Sequence, residues 1–543
     1  MTSTLFRNGF IHSPADPFAE ALLMEDGVIA WIGANDAAAG FAARADRIID
    51  LDGALVTPGF VDSHVHLLET ALAAEAVNVS PGAGGHSSAR VLELLAPRAR
   101  AWQPTEGALC ATGYDDSQWT GEQLTQRELD DAFPDVHLYV PRADLHSGLV
   151  SSALLTHLGI AREAAPNGIV ADGLHFQVRT AIRDIAPDRR ERLYTKILRE
   201  AAALGIVSVH ENSAPGIDTR AGLTQLLQMT ATADSGLPQV VGYLGELMSS
   251  PEQALEIAAT IPGLSGFAGD LSVDGSFGSH SAAMRQPYTD KPDSLGTLHF
   301  DAEQIATHVH AVSMAKLAGG FHVIGDRGLD TVLAGFAMAA AQGPEVRSAI
   351  RRAGHRLEHV EIADAQAINQ FIEFGIGLSI QPAFDAHWGG TGGMYESRLG
   401  TERTATTTPL RDFLAAGIAM GFGSDAPVTP IDPWAAITAA LFHNNTDQRI
   451  SARAAFLAHT RGAWRIAGQN TRGQGEIRIG SPADLAIWRC TELGVQAENS
   501  GRSSWTTDGR SGSPLLPILG PDAGPTQCLA TYRGGTEIYS QLG

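Results

Sequence analysis

Through the middle of the chain, short β-like runs alternate with longer segments whose apolar positions recur every three to four residues. Eight runs stand out: TPGFVDSH (57–64), GIVSVHE (205–211), QVVGYLGE (239–246), GFAGDLSV (266–273), GGFHVIGD (319–326), RLEHVEI (356–362), GIGLSIQP (375–382) and IAMGFGSD (418–425). Helical patterns such as ERLYTKILREAAAL and AEQIATHVHAVSMAKLA lie between them. This alternation predicts an α/β protein with a parallel sheet, and eight units predict a (β/α)₈, TIM-like barrel. The two ends are patterned differently. ALLMEDGVIAWIG predicts two short strands around Asp26-Gly27, a strong hairpin signal, and DRIIDLDGALVTPG predicts two more. GEIRIGSPADLAIW and CLATYRGGTEIYSQ repeat the style near the other end, with Gly534-Gly535 as a turn.

The economical reading of the two β-rich ends is one small composite β-sandwich domain, residues 1–58 with 471–543. The barrel then occupies 59–84 and 190–470. The gap between the first and second runs is too long for one crossover, which predicts an inserted subdomain at 85–189, after the first barrel strand. A polar, Gly/Ser/Pro-rich stretch from Leu493 to Gln527 reads as an irregular surface excursion.

Periodicity also separates two copies of one tripeptide. His64-Val65-His66 closes a strand-like run, where residues two apart share a face and both rings can grip one ion. His308-Val309-His310 falls inside a helical pattern, where two residues are about 200° of rotation and the rings point apart. Only the first pair is a candidate for joint metal binding.

Composition narrows the partners. A formal charge of −22, with no basic patch to offset it, argues against nucleic acid. The cysteines Cys110, Cys490 and Cys528 are scattered and form no CxxC pair or disulfide framework. The N-terminus lacks the apolar core of a signal peptide, and no uninterrupted apolar run is long enough for a bilayer. The expectation is a cytoplasmic protein acting on a small molecule, with no membrane or nucleic-acid partner; a homodimer is left open.

Barrel chemistry sits at the C-terminal ends of the strands. Those ends carry His64, His66, His210, Asp270, His322, His359 and Asp425. Any one histidine at a strand end is more often a hydrogen-bonded structural residue than a ligand. Together, imidazoles and carboxylates drawn around one barrel axis suit zinc and similar divalent metals.

Seven stretches then carry a family resemblance: TPGFVDSHVH (57–66), VDGSFGSHSAA (273–283), HVIGD (322–326), RLEHVEI (356–362), QPAFDAHWGG (381–390), GSDAPV (423–428) and GSPADLAIW (480–488). In this order they resemble the amidohydrolase superfamily, its type 3 subgroup of metal-dependent hydrolases, and within it the N-substituted formamide deformylases. The resemblance implies the same barrel with a composite β-domain. It implies metal ligands at His64 and His66 on the first strand, His322 on the fifth and His359 on the sixth. Asp425 becomes the eighth-strand aspartate that touches metal and shuttles the proton. One position departs from the pattern. Where many relatives carry a metal-bridging carboxylated lysine, four residues before the DGS aspartate, this chain has Asp270. Lys196, Lys291 and Lys316, the only lysines, fall in helical patterns or a loop and cannot replace it. Asp270 is therefore expected to be a metal ligand bridging two ions, with a one-ion site as the competitor; Asp274 suits a structural role in its turn.

The chemistry expected is hydrolysis of a C–N amide-type bond, such as that of an N-substituted formamide, with zinc the expected ion. Metal-activated hydroxide attacks and Asp425 carries the proton to the leaving nitrogen. Candidate substrate contacts are His210, Trp388 and Arg398, the last two in FDAHWGGTGGMYESRLG after the seventh strand, together with His146 of the insert. That segment suits either a mobile pocket wall or packed surface, and Arg142 and Asp144 suit either substrate contact or bracing of the insert. The alternatives are a metal-dependent lyase or isomerase on the same barrel, or a metal-free binding protein. No GxSxG elbow and no HExxH motif occurs.

Overall fold

The protein is described by a computed structural model covering residues 3–117, 119, 121–183, 185–497, 505–506 and 513–542. Its centre is one sheet of eight parallel strands. They are β1 (Phe60–Val65), β2 (Ile206–Ser213), β3 (Gln239–Leu244), β4 (Leu264–Phe267), β5 (Ala318–Val323), β6 (Arg356–His359), β7 (Gly377–Ile380) and β8 (Met420–Phe422). Neighbours in sequence are neighbours in the sheet, from β1 beside β2 to β7 beside β8. A parallel bridge between Val65 and Ala426 brings the ends of β1 and β8 together, so the sheet is a nearly closed barrel. The seam is tied by Asp425 N–H to the His64 carbonyl (2.7 Å) and His66 N–H to the Ala426 carbonyl (3.0 Å).

The fourth run is shorter than its pattern predicts. β4 ends at Phe267, because Gly269 turns the chain through a left-handed φ of 78°. A side chain there would meet the Asn212 amide at 2.6 Å, so only glycine fits and Asp270 leaves the sheet on an irregular segment. Gly59 does comparable work between Leu55–Pro58 and β1, where an added Cβ would lie 2.2 Å from the Val207 side chain.

Residues from both ends share a second sheet, in the order Phe10–Ile11, Leu55–Pro58, Leu485–Arg489, Gln527–Arg533, Thr536–Ser540. A four-stranded sheet built by Ser3–Arg7, Ala21–Glu25, Val28–Gly33 and Arg47–Asp50 packs with it around Phe6, Leu22, Ile29, Val56 and Ile487. Trp488 joins this unit to the barrel: its indole donates to Thr57 Oγ1 (2.9 Å) and meets the rings of Phe60 and Trp434.

The insert has its own five-stranded sheet, whose outer strand Val77–Asn78 begins ahead of residue 85 because it pairs with Leu109–Thr112. In the 493–527 stretch, Leu493–Gln496 pairs with Leu516–Pro517 and with Trp505–Thr506; the other residues of that excursion partly lie outside the described ones. Among the described residues no helix is long and apolar enough to cross a membrane.

Candidate metal centre

The C-terminal mouth of the barrel gathers six of the ten side chains singled out in the sequence. His64 lies near the end of β1 and His66 one residue beyond it, capping helix Leu67–Glu75. Both are buried, with their Nε2 atoms 3.3 Å apart. Asp425 Oδ1 lies 3.3 Å from His64 Nε2 and 3.1 Å from His66 Nε2. Asp270 reaches the same two nitrogens, Oδ1 at 3.4 Å from His64 and Oδ2 at 3.3 Å from His66. His359 closes a second group with His64 and Asp270, and its ring centre is 5.0 Å from that of His64. His322 stands one step further, Nδ1 3.9 Å from Asp270 Oδ1 and its ring centre 4.5 Å from that of His359.

Each of the four histidines is tied by its far nitrogen. His64 Nδ1 donates to Glu358 Oε2 (2.8 Å), His66 Nδ1 to the Asn212 carbonyl (3.0 Å), and His359 Nδ1 to Gln381 Oε1 (2.8 Å). His322 is turned over, donating Nε2 to the Gly275 carbonyl (3.3 Å). Acceptor-only partners fix the N–H on the far side and leave the inner nitrogen with a lone pair. Lone pairs and carboxylate oxygens therefore face one another across a few ångströms. Asp270 Oδ1 is buried without a hydrogen-bond partner. Such a knot of acceptors needs positive charge at its middle, and its nitrogen and oxygen donors suit a divalent cation. The residues fit the metal.

The electrostatics agree. Burial alone would lower the pKa of His66, but the charges of Asp270 and Asp425 outweigh it and push it up to about 10. Burial would raise Asp425, and the neighbouring His64 instead holds it well below the usual carboxylate range. The carboxylates draw cations into this space, and a metal ion would replace the protons. The backbone is strained here too: His359, Val360 and Asp425 adopt left-handed φ of 69°, 45° and 55°, least common for a β-branched residue such as Val360.

Next to the centre, a cavity opens between barrel and insert. Trp388 and His146 line it, and the His146 ring lies 5.0 Å from that of His322. Arg142 and Asp144 line it as well. The segment after β7 is not an open loop: it folds as helices Pro382–Trp388 and Met394–Leu399, which present Phe384, Trp388 and Tyr395 to the cavity. Two expected substrate contacts are placed elsewhere. β2 runs on to Ser213, so His210 is a layer below the mouth, fully buried, with Nδ1 accepting from Arg356 (2.9 Å). Arg398 is spent on Asp290 and the Gly278 carbonyl and braces the cavity rim from outside. His308 is structural: Nδ1 accepts from Met248 N–H (3.0 Å) and Nε2 donates to the Phe267 carbonyl (3.1 Å). Asp274 accepts from the N–H groups of Ala283, Ile324 and Gly325 at 2.8, 3.0 and 2.8 Å, the structural role its turn suggested.

The description "Amidohydrolase family" belongs to a family profile that matches residues 47–539. The chain belongs to the amidohydrolase family.

Protein LONG AFTER FAR-RED 3 of Arabidopsis thaliana is 24% identical, over 98% of this amidohydrolase and 91% of its own length. N-substituted formamide deformylase of Arthrobacter pascens is 23% identical, over 86% and 90%. In fold, the chain is similar to an uncharacterized metal-dependent hydrolase of Pyrococcus horikoshii, with a TM-score of 0.70 and 22% identity, over 90% of this chain and 97% of that one.

Sequence reasoning missed what lies beneath the candidate ligands of this amidohydrolase. Glu358 links His64 to Arg356, whose Nε and Nη2 donate to its carboxylate at 2.6 and 2.8 Å; Arg356 also donates to the Ser63 carbonyl (2.6 Å) and lies over the Tyr243 ring at 4.6 Å. All are buried in the barrel. The available signal was Arg356 and Glu358 at alternate positions of one buried strand, hence on one face, inside RLEHVEI.

Proposed function

We propose that this amidohydrolase cleaves a C–N amide-type bond, that of an N-substituted formamide or related amide, releasing a carboxylic acid and an amine. The observation that carries the reading is the set of four tethered histidines whose inner nitrogens face Asp270 and Asp425. His64, His66 and Asp425 would hold one cation, with zinc the expected ion. His322 and His359 would hold a second, and Asp270, between the two groups, would touch both. A cation there would supply Lewis acidity and lower the pKa of a water to about 7.

The chain's own residues do the rest. Asp425, kept ionised by its surroundings, accepts the proton of the attacking water and returns it to the leaving nitrogen, so that one water adds across the bond. Glu358 and Gln381 keep His64 and His359 oriented, with the outer nitrogen protonated. The aromatic wall of Phe384, Trp388 and Tyr395 limits water at the reacting carbonyl and takes up the apolar part of the substrate. The name of the Arthrobacter pascens relative, an N-substituted formamide deformylase, supports the choice of bond. The test is a panel of N-substituted formamides and simple amides, followed by mass spectrometry of acid and amine, before and after chelation. Cleavage that chelation abolishes and zinc restores is expected; a metal-loaded protein inert toward every amide would overturn the reading.

A further inference from the structure

The cavity wall facing the centre combines aromatic rings with unbalanced acid. The rings of Phe384 and Trp388 meet at 5.1 Å, and Tyr395 lies beside them. Asp115, Asp144 and Glu361 line the same space against one guanidinium, that of Arg142. Arg142 pairs with Asp116 at 2.5 Å and faces Asp115 at 3.9 Å. Asp144 accepts from the hydroxyls of Ser276 and Ser279, at 2.8 and 2.9 Å. Glu361 is left over. Its side chain is 4% exposed, Tyr395 hydrogen-bonds to it, and its Oε2 is buried with no hydrogen-bond partner.

Burial first, and then the like charges of Asp385, Asp274 and Asp425, push the Glu361 carboxyl up to about 8, so a cation is the partner it lacks. Among the described residues, it belongs to neither of the two groups of atoms close enough to share a metal ion. A buried carboxyl oxygen without a hydrogen-bond partner is costly unless something binds to it, and an ammonium group would both bind it and favour its ionised form. A carboxylate at the edge of an aromatic wall is the arrangement that recognises an ammonium group on an apolar carrier, through a charge-assisted hydrogen bond and cation–π contact.

We propose that the apolar part of the substrate carries a protonated amine, distinct from the scissile nitrogen, that seats on Glu361 against Trp388 and Phe384. The inference rests on the hydrolytic reading, since the group seated there is the substrate's own. It makes Glu361 a specificity residue that selects aminated amides over neutral ones of the same size.

The test is calorimetric titration of the metal-loaded full chain with 2-phenylethylamine and with its uncharged isostere 2-phenylethanol. The wild type is expected to bind the amine at least about tenfold more tightly, as a charge-assisted contact predicts, and Glu361→Gln is expected to bring the ratio close to one. An amine that instead ligates the metal would keep its advantage in the variant. Equal binding of both compounds by the wild type, or a preference that survives Glu361→Gln, overturns the inference while amide cleavage stands. Failure to cleave any amide, aminated or neutral, overturns the hydrolytic reading and this inference with it.

Discussion

What marks a histidine as a candidate metal ligand in this chain is the group behind it. His64, His66, His322 and His359 each have one nitrogen committed to an acceptor, while His308, equally buried, has both committed to backbone. The HVH tripeptide was legible because strand and helix periods send its rings in different directions. The tether on His64 was not, since the partner, Glu358, is 294 positions away. His210 misled for a related reason: sequence locates a strand but not the layer at which it stops. Removing the tether tests its role. Glu358→Gln takes away the charge behind His64 and is expected to weaken metal affinity about 10- to 100-fold, the usual cost of losing a ligand's supporting partner. Competition against a chelator measures it, with circular dichroism to show that the fold persists. Unchanged affinity would mean that Glu358 serves only Arg356.

At the scale of elements, the fold is held partly by buried histidines that stay neutral down to about pH 4. Burial lowers His308 to about 3 and His12, His355 and His459 to about 4. Each bonds across an element boundary: His355 Nε2 with Ser313 Oγ (2.8 Å), His459 Nδ1 with the Val61 carbonyl (3.2 Å). In the unfolded chain these groups protonate near 6.5, so between that pH and about 4 the unfolded state binds more protons than the native one. The contribution to stability is complete above 6.5 and is lost as pH falls, at up to about 1.4 kcal/mol per pH unit for each histidine. The thermal midpoint should drop between pH 7 and 5, and His308→Asn should drop less over the same interval while starting lower. Equal drops would remove His308 from the account. The alternating pattern made these helices and strands legible in sequence; the ending of β4 was less so, because it depends on the fit of Gly269 against Asn212.

Across the whole molecule, residues near both ends meet in one sheet, and the insert completes the cavity over the barrel mouth. The β-rich style of both ends was readable, but the joint at Trp488 was not, because its partners Thr57, Phe60 and Trp434 are brought together only by the closed fold. Trp488→Ala empties that joint and is expected to cost about 3–5 kcal/mol, the range for truncating a buried aromatic. Chemical denaturation checks it, and a loss below about 1 kcal/mol would show that the β-unit and barrel are held together elsewhere. The central proposal is that Asp270, standing where the family resemblance leads one to expect a lysine, would join two cation positions at the barrel mouth. Elemental analysis of chelator-free protein, wild type beside Asp270→Asn, tests it most directly. The account predicts close to two equivalents of divalent metal per chain, falling to one or fewer in the variant. A single equivalent unaffected by the substitution, or no metal retained after incubation with zinc, would contradict it.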